Sequence, residues 1–136
     1  MPDSRLDIPG PRLGEGDEPP ALQVVVREVA SAVAVVEVRG DLDTMTARAF
    51  DGWVREHWAG RADLVLDLDG VGFLASAGIA VLMGLRLDAP GHGVRLHLTG
   101  RSNRAVRRPL EVLGLEAVLD LQADAGAVVA ELTPSA

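Results

Sequence analysis

Residues 64–85 read LVLDLDGVGFLASAGIAVLMGL, and this stretch decides the fold class. Its first five residues are apolar at most positions, which is typical of a central strand buried on both faces of a sheet. A turn of small residues follows over 74–78, and residues 79–87 then continue as a short helix. A buried strand that leads through a short turn into a helix indicates an α/β domain.

The residues before this stretch predict a hairpin and a helix. Residues 23–29 and 34–39 are rich in Val and are separated by three small residues, which is typical of a β-hairpin. Gly40 and Asp41 break its second strand. Thr44 or Thr46 is then a candidate cap for a helix that ends near Gly60. The apolar positions of this helix recur at helical spacing: Ala47, Phe50, Val54 and Trp58.

The residues after it continue the alternation. A loop over 88–93 leads to a strand over 94–98, and a helix then runs toward Leu113 with Gly114 at its end. Ser102 or Asn103 is the candidate cap of that helix, and Pro109 is expected to kink it or delay its start. A short strand over 118–121 and a final helix over 123–132, capped by Asp124, complete the prediction.

Two strands followed by helix–strand alternation predict a mixed sheet, an N-terminal hairpin plus parallel strands, packed with about four helices. The length of 136 residues fits one domain. Residues 1–20 hold five of the eight prolines and five acids, so we expect a flexible leader there and a folded domain over 21–136.

Composition excludes several classes of function. The net charge of −7 and the shortage of aromatic residues argue against direct nucleic-acid binding, and the charge also argues against binding to anionic membranes. The absence of Cys excludes disulfides and thiolate catalysis. No secretory signal or membrane-length apolar run is visible, so we expect a cytoplasmic protein.

The string LVLDLDGV at residues 64–71 resembles the first motif of haloacid dehalogenase-type phosphatases. In those enzymes one Asp attacks phosphorus and the other is the acid/base, with Mg²⁺ neutralising charge. The alternative is a buried strand that ends in Asp67 and Asp69 and turns at Gly70. We prefer it, because the motif lies mid-chain and only Asp120 follows as a later strand-end acid. A magnesium-dependent phosphatase on Asp67 and Asp69 is therefore the least favoured hypothesis.

Ser76 lies in the predicted strand-to-helix turn, a position that a hydrolase nucleophile also occupies. A nucleophile elbow needs G-x-S-x-G, whereas the flanking positions here are Leu74 and Gly78. The three histidines have no sequence context that marks a catalytic base. We therefore predict no catalytic residue, no metal and no cofactor. The simplest structural role of Ser76 is a helix N-cap, worth about 1 kcal/mol.

The order of three blocks resembles the STAS family, specifically the bacterial anti-sigma factor antagonists. The blocks are Gly40-Asp41-Leu42-Asp43-xxx-Ala47, residues 64–85 and residues 95–121, and the resemblance covers about 22–132. It implies a protein that binds an anti-sigma factor which is also a Ser/Thr kinase. Phosphorylation of one Ser in a D-S-[ST]-G turn ends that binding, and a Ser/Thr phosphatase restores it.

Carried onto this chain, the resemblance makes Ser76 the phosphoacceptor and places Gly78 at the Gly of the turn. Ala75 and Ala77 replace the Asp and the second hydroxyl residue of that motif. An alternative is therefore a STAS scaffold or small-ligand module that works without phosphorylation. The predicted partner-binding residues are Asp41, Asp43, Ala75, Ser76, Ala77, Gly78 and Met83. We interpret the Arg-rich segment 101–108 as a solvated helix face rather than an interface.

Overall fold

The computed structural model describes residues 4–9 and 20–133. The strands are β1 (Arg5–Ile8), β2 (Leu22–Ala30), β3 (Val33–Leu42), β4 (Asp63–Leu74) and β5 (Arg95–Thr99). The helices are α1 (Ala47–His57), α2 (Ser76–Asp88), α3 (Arg104–Leu113), α4 (Glu116–Leu119) and α5 (Ala125–Leu132). A one-turn 3₁₀ helix, Ala89–His92, follows α2. The predicted fold class is confirmed.

The strands form one mixed sheet in the order β1-β2-β3-β4-β5. The first two pairings are antiparallel, and β3, β4 and β5 run parallel. Because parallel strands end at the same edge of a sheet, the loops that follow β3 and β4 emerge side by side. The register pairs Leu42 with Leu74, the last residues of these two strands.

Both faces of the central strands are covered. Val36 and Leu66 belong to the main core, which includes Phe50 of α1 and Leu82 of α2. Their neighbours Val35 and Val65 point to the other face and pack with Val128 of α5. Burial on both faces explains the almost continuous apolar run of β4.

The expected flexible leader is wrong for residues 5–8. These residues form β1, which pairs antiparallel with β2 and places Leu6 opposite Val24. Leu6 and Ile8 pack against the main core. Four alternating residues among prolines are too short a pattern to predict a strand from the sequence. Pairing with β2 supplies the backbone hydrogen bonds that stabilise β1. The rest of the predicted leader, residues 1–3 and 10–19, lies outside the described residues, whereas Pro20 is described but belongs to no strand or helix.

The predicted break of the hairpin's second strand at Gly40 and Asp41 is wrong. Strand β3 continues through both residues to Leu42, and they pair with Val71 and Phe73 of β4.

Two other predicted boundaries are wrong. The strand β4 continues past Gly70 to Leu74, because Leu68 and Val71 stay buried and the ladder with β3 absorbs two register shifts. The predicted strand over 118–121 is wrong, because Val118 and Leu119 belong to α4, which Asp120 ends. The chain bridges to the sheet at Gln122, which pairs with Thr99. Pro109 lies inside α3, which continues on both sides of it.

A buried carboxylate joins the first residue of β4 to β5. Arg95 donates two hydrogen bonds of 2.8 Å to Asp63, and His97 Nε2 lies 2.9 Å from the same carboxylate. The Arg95 hydrogen bonds lower the pKa of Asp63 to about 2, against the opposing effect of burial. Asp63 is therefore ionised at neutral pH and fixes the register of β5.

Candidate functional site

The loops after β3 and β4 form a single surface at the carboxyl edge of the sheet. Asp41 pairs with Phe73 at the end of the parallel ladder. The N–H of Ala75 then donates to the carbonyl of Leu42 at 3.0 Å. This bond carries the β3–β4 pairing into the turn, so the position of Ser76 is fixed relative to the Asp41–Asp43 loop.

Asp43 and Thr46 hold the loop between β3 and α1. Thr46 is fully buried; its hydroxyl donates to the carbonyl of Asp41 at 2.8 Å and accepts the N–H of Asp43 at 3.0 Å. The Asp43 carboxylate accepts the N–H groups of Met45 and Thr46 at 3.0 and 3.2 Å. Asp43 thus positions the loop, whereas Asp41 is exposed. Capping of α1 by a threonine hydroxyl is wrong, since Thr46 occupies the N-cap without a capping bond.

Ser76 is the first residue of α2 and its side chain is exposed. The predicted N-cap role of Ser76 is wrong: Ala75 is the N-cap, with extended backbone and no side-chain bond to the helix. Ile79 is the first residue whose N–H bonds back along the helix, to Ala75 at 3.0 Å. The N–H groups of Ser76, Ala77 and Gly78 therefore have no helical acceptor.

Gly78 lets α2 start directly against β3. A Cβ at this position would lie 2.5 Å from the Leu42 carbonyl oxygen and 2.8 Å from Leu42 Cγ. It would also lie 2.9 Å from Leu74 Cδ1. Only a residue without a side chain fits there, so Gly78 acts by bringing the Ser76 turn close to the sheet edge.

Exposed apolar side chains occur in the loop after β3, at the end of β4 and along α2 from Ser76. Met45 is 73% exposed in the β3–α1 loop, and Phe73 is 54% exposed at the end of β4. Apolar residues also follow Ser76 at helical spacing along α2: exposed Ala80, half-buried Met83 and Leu87, which is 76% exposed. We call Met45, Phe73, Ser76, Ala80, Met83 and Leu87 the Ser76 surface. Met83 also packs against the main core.

The sequence prediction missed Met45 and Phe73. Phe73 lies within an apolar strand pattern, where burial is the usual outcome, and Met45 lies in a polar loop. Exposed apolar side chains beside one another are a feature of interaction surfaces. The only sequence signal was the position of both residues next to the two predicted loops.

Asp67 and Asp69 lie on one face of β4, away from the Ser76 surface. Asp67 accepts the N–H of Asp69 at 3.0 Å. Burial raises the pKa of Asp69, with smaller contributions from the nearby carboxylates of Asp67 and Asp124. No three acidic or histidine side chains within residues 4–9 and 20–133 are placed to hold a metal ion. Strand β4 also continues five residues past Asp69, so the pair does not stand at a strand end.

The family model described as "Mlab, STAS domain" matches residues 25–122. The chain belongs to the STAS-domain family. This STAS domain is 31% identical over 99 residues to the anti-sigma-F factor antagonist RsfB of Mycobacterium tuberculosis strain CDC 1551 / Oshkosh, covering 72% of this chain and 79% of RsfB.

Solved structures resemble this STAS domain over most of its length. An anti-sigma factor antagonist from Mycobacterium paratuberculosis superposes with a TM-score of 0.67 at 27% identity, covering 81% of this chain and 92% of that one. The unphosphorylated form of the anti-sigma factor antagonist SpoIIAA superposes with a TM-score of 0.64. That match covers 80% of this chain and 95% of SpoIIAA at 15% identity, so it supports the fold alone. Among the described residues, no helix is both long and apolar enough to span a bilayer.

The uncapped start of α2 leads to a stability prediction. Replacing Ala75 by Asp should raise the free energy of unfolding by about 1 kcal/mol, because a carboxylate at the N-cap accepts first-turn N–H groups. The backbone of Ala75 is already extended, as an N-cap requires. Urea unfolding of wild type, Ala75→Asp and Ala75→Asn measures this, with Asn as the uncharged capping control. A lower unfolding free energy for both variants would contradict an open N-cap at Ala75.

Proposed function

We propose that this STAS domain is an anti-sigma factor antagonist that binds an anti-sigma factor through the Ser76 surface. Binding frees a sigma factor, and phosphorylation of Ser76 by the anti-sigma factor acting as a kinase ends it. The observation that carries the proposal is the exposed Ser76 hydroxyl at the first position of α2, amid exposed apolar side chains. The names of RsfB and the Mycobacterium paratuberculosis protein support the same role.

The predicted partner-binding residues take two kinds of role in this proposal. Ser76, Ala77 and Asp41 contact the partner, and Met83 extends the contact along α2. Asp43 acts through the β3–α1 loop that it holds, and Gly78 acts through the close approach of α2 to β3. Ala75 is the N-cap at which α2 begins. The proposal needs no cofactor, no metal and no catalytic residue in this chain, and it places the protein in the cytoplasm.

The local structure is suited to carry a phosphate. A phosphoserine bears about −1.5 to −2 charges at neutral pH. At residue 76 it meets the unpaired N–H groups of the first turn of α2 and the positive end of the helix dipole. The first turn contains no acidic residue that would repel it. Phosphorylation should therefore leave the domain folded, and a Ser/Thr phosphatase would restore the binding form.

A partner packed on the same surface responds differently. It covers apolar side chains around Ser76 and must remove water from the new dianion. Burying an unpaired charge costs several kcal/mol, which is enough to dissociate a complex of ordinary affinity. The effect of the phosphate is thus on binding and not on folding.

A second candidate is a STAS module that binds its partner without phosphorylation. The observation in its favour is Ala75, which leaves no acidic side chain directly before Ser76. A kinase that requires that acid would not modify this chain. The domain would then bind its partner protein constitutively, or it would bind a small ligand instead.

Intact-mass spectrometry tests the proposal. The protein is incubated with ATP, Mg²⁺ and each candidate anti-sigma kinase encoded in the same genome, and pull-downs are run in parallel. We expect one phosphate on wild type and on Ser102→Ala, a control with another exposed serine, and none on Ser76→Ala. Binding without phosphate transfer would support the second candidate. Absence of binding to every candidate would contradict both antagonist proposals.

A further inference from the structure

A groove of about 390 Å³ lies next to the Ser76 surface, between β4 and α3. Phe73 and Leu74 form its β4 side, and Arg104, Arg108 and Pro109 form its α3 side. Phe73 also belongs to the Ser76 surface, so the groove continues that surface toward α3.

The α3 wall of the groove is held rigidly. The side-chain amide of Asn103 donates to the carbonyls of Leu68, Asp69 and Val71 at 2.9, 3.2 and 2.8 Å. Its oxygen accepts the N–H of Ala105 at 3.0 Å and caps α3. One side chain thus fixes the start of α3 to β4, and the groove needs little rearrangement to receive a ligand.

Two arginines give the groove a charge opposite to that of the chain. Arg104 and Arg108 are one helical turn apart and exposed, and neither forms an ion pair within the part of the chain that the structure describes. Their neighbour Arg107, in contrast, lies 3.5 Å from Glu111. The chain as a whole carries −7, so this is a local basic surface on an acidic protein.

The placement of these arginines is unfavourable for α3 alone. Arg104 is the first residue of α3, where the helix dipole favours anions, and the first turn contains no acid. Arg108 adds a like charge at i,i+4, which is also destabilising. An anionic group bound between them would remove both penalties. Residues that violate the local charge preferences of a helix in this way are expected at functional sites.

The remaining surface of the groove favours a peptide with an apolar side chain. Phe73 is about half exposed, and the ring of Pro109 lies opposite it. The groove therefore offers an aromatic contact and two guanidinium groups together.

We propose that this groove binds an acidic segment of the anti-sigma factor, with an apolar side chain against Phe73 and Pro109 and carboxylates at Arg104 and Arg108. The inference rests on the proposed function and extends its interface from α2 to α3. It also replaces the interpretation of Arg104 and Arg108 as a solvated face. Exposed charges at an interface rim act mainly on the association rate, which then depends on salt.

Surface plasmon resonance with the anti-sigma factor identified by pull-down tests the groove. We expect Arg104→Glu and Arg108→Glu each to weaken binding about tenfold, mainly through slower association, and to flatten the salt dependence. Arg27→Glu is the control for net charge, because it makes the same charge change on β2 near the hairpin turn, at the opposite end of the sheet. This change also breaks the exposed pair of Arg27 with Glu37 at 3.1 Å, so urea unfolding is used to check that the control is folded. Replacing an acidic residue of the partner segment by Arg should restore binding to Arg108→Glu.

The outcomes separate this inference from the proposed function. If both groove variants show wild-type affinity and salt dependence, the proposal that the groove binds the partner is overturned, and the antagonist role stays intact. Equal losses for Arg27→Glu and Arg108→Glu would mean that net charge alone matters, which also overturns it. If no candidate anti-sigma factor binds wild type, the proposed function fails and the inference fails with it.

Discussion

Replacing Ser76 by Asp should weaken binding to the anti-sigma factor about 100-fold, or about 3 kcal/mol, without lowering stability. The carboxylate places a charge on the Ser76 surface, which the partner must cover. The same carboxylate stands at the positive end of α2, where it stabilises the helix by up to about 1 kcal/mol. Isothermal titration calorimetry and urea unfolding measure the two effects separately.

Two controls isolate the charge and its position. Ser76→Asn has nearly the shape of Asp without the charge and should lose at most about tenfold in affinity. Ser31→Asp adds the same charge in the exposed hairpin turn, at the other edge of the sheet, and should bind as wild type does. Undiminished binding by Ser76→Asp would remove Ser76 from the interface, whatever its phosphorylation state.

Replacing Gly78 by Ala should lower the free energy of unfolding by about 2 kcal/mol, although Ala is the better helix former. The added Cβ would lie 2.5 Å from the carbonyl oxygen of Leu42, and this oxygen also accepts the N–H of Ala75. The start of α2 must therefore move away from β3. Ser76 moves with it, so partner affinity should fall along with stability.

Gly84→Ala is the matched control in the same helix. A Cβ at Gly84 has its nearest neighbour at 3.7 Å, the flexible Nη2 end of Arg55. This variant should be as stable as wild type or up to about 1 kcal/mol more stable, since it gains helix propensity without a clash. Equal unfolding free energies for Gly78→Ala and Gly84→Ala would show that the contact with Leu42 does not constrain α2.

Several parts of the fold that local sequence determines were predicted correctly, although the caps of α1 and α2 were not. The hairpin of β2 and β3 follows from two Val-rich segments around a short turn, and Asn103 and Asp124 cap α3 and α5 as expected. β1 and α4 were not predicted. Four residues carry too little periodicity to identify β1 as a strand. Helix α4 ends where Asp120 adopts a left-handed backbone conformation, which the sequence does not indicate.

For the site, the sequence located the turn but not its surroundings. Ser76 and Gly78 were found because a small-residue turn between a strand and a helix is visible locally. The exposure of Phe73 and the groove beside it depend on how far β4 continues and where Asn103 fixes α3. Both features depend on tertiary packing, so they could be identified only from the structure. Pro109 appeared only as a helix disruption in the sequence, and it lines the groove.

The short strand β1 also affects association of whole molecules. It covers part of the outer edge of β2, where Val26 donates to Ser4 and Ala21 donates to Ile8. Without it, that row of backbone donors and acceptors would face solvent, and an unpaired edge is a template for strand addition by another chain. Shortening the protein to residues 21–136, the predicted domain, would therefore replace the four-residue edge strand β1 by the longer, nine-residue edge of β2.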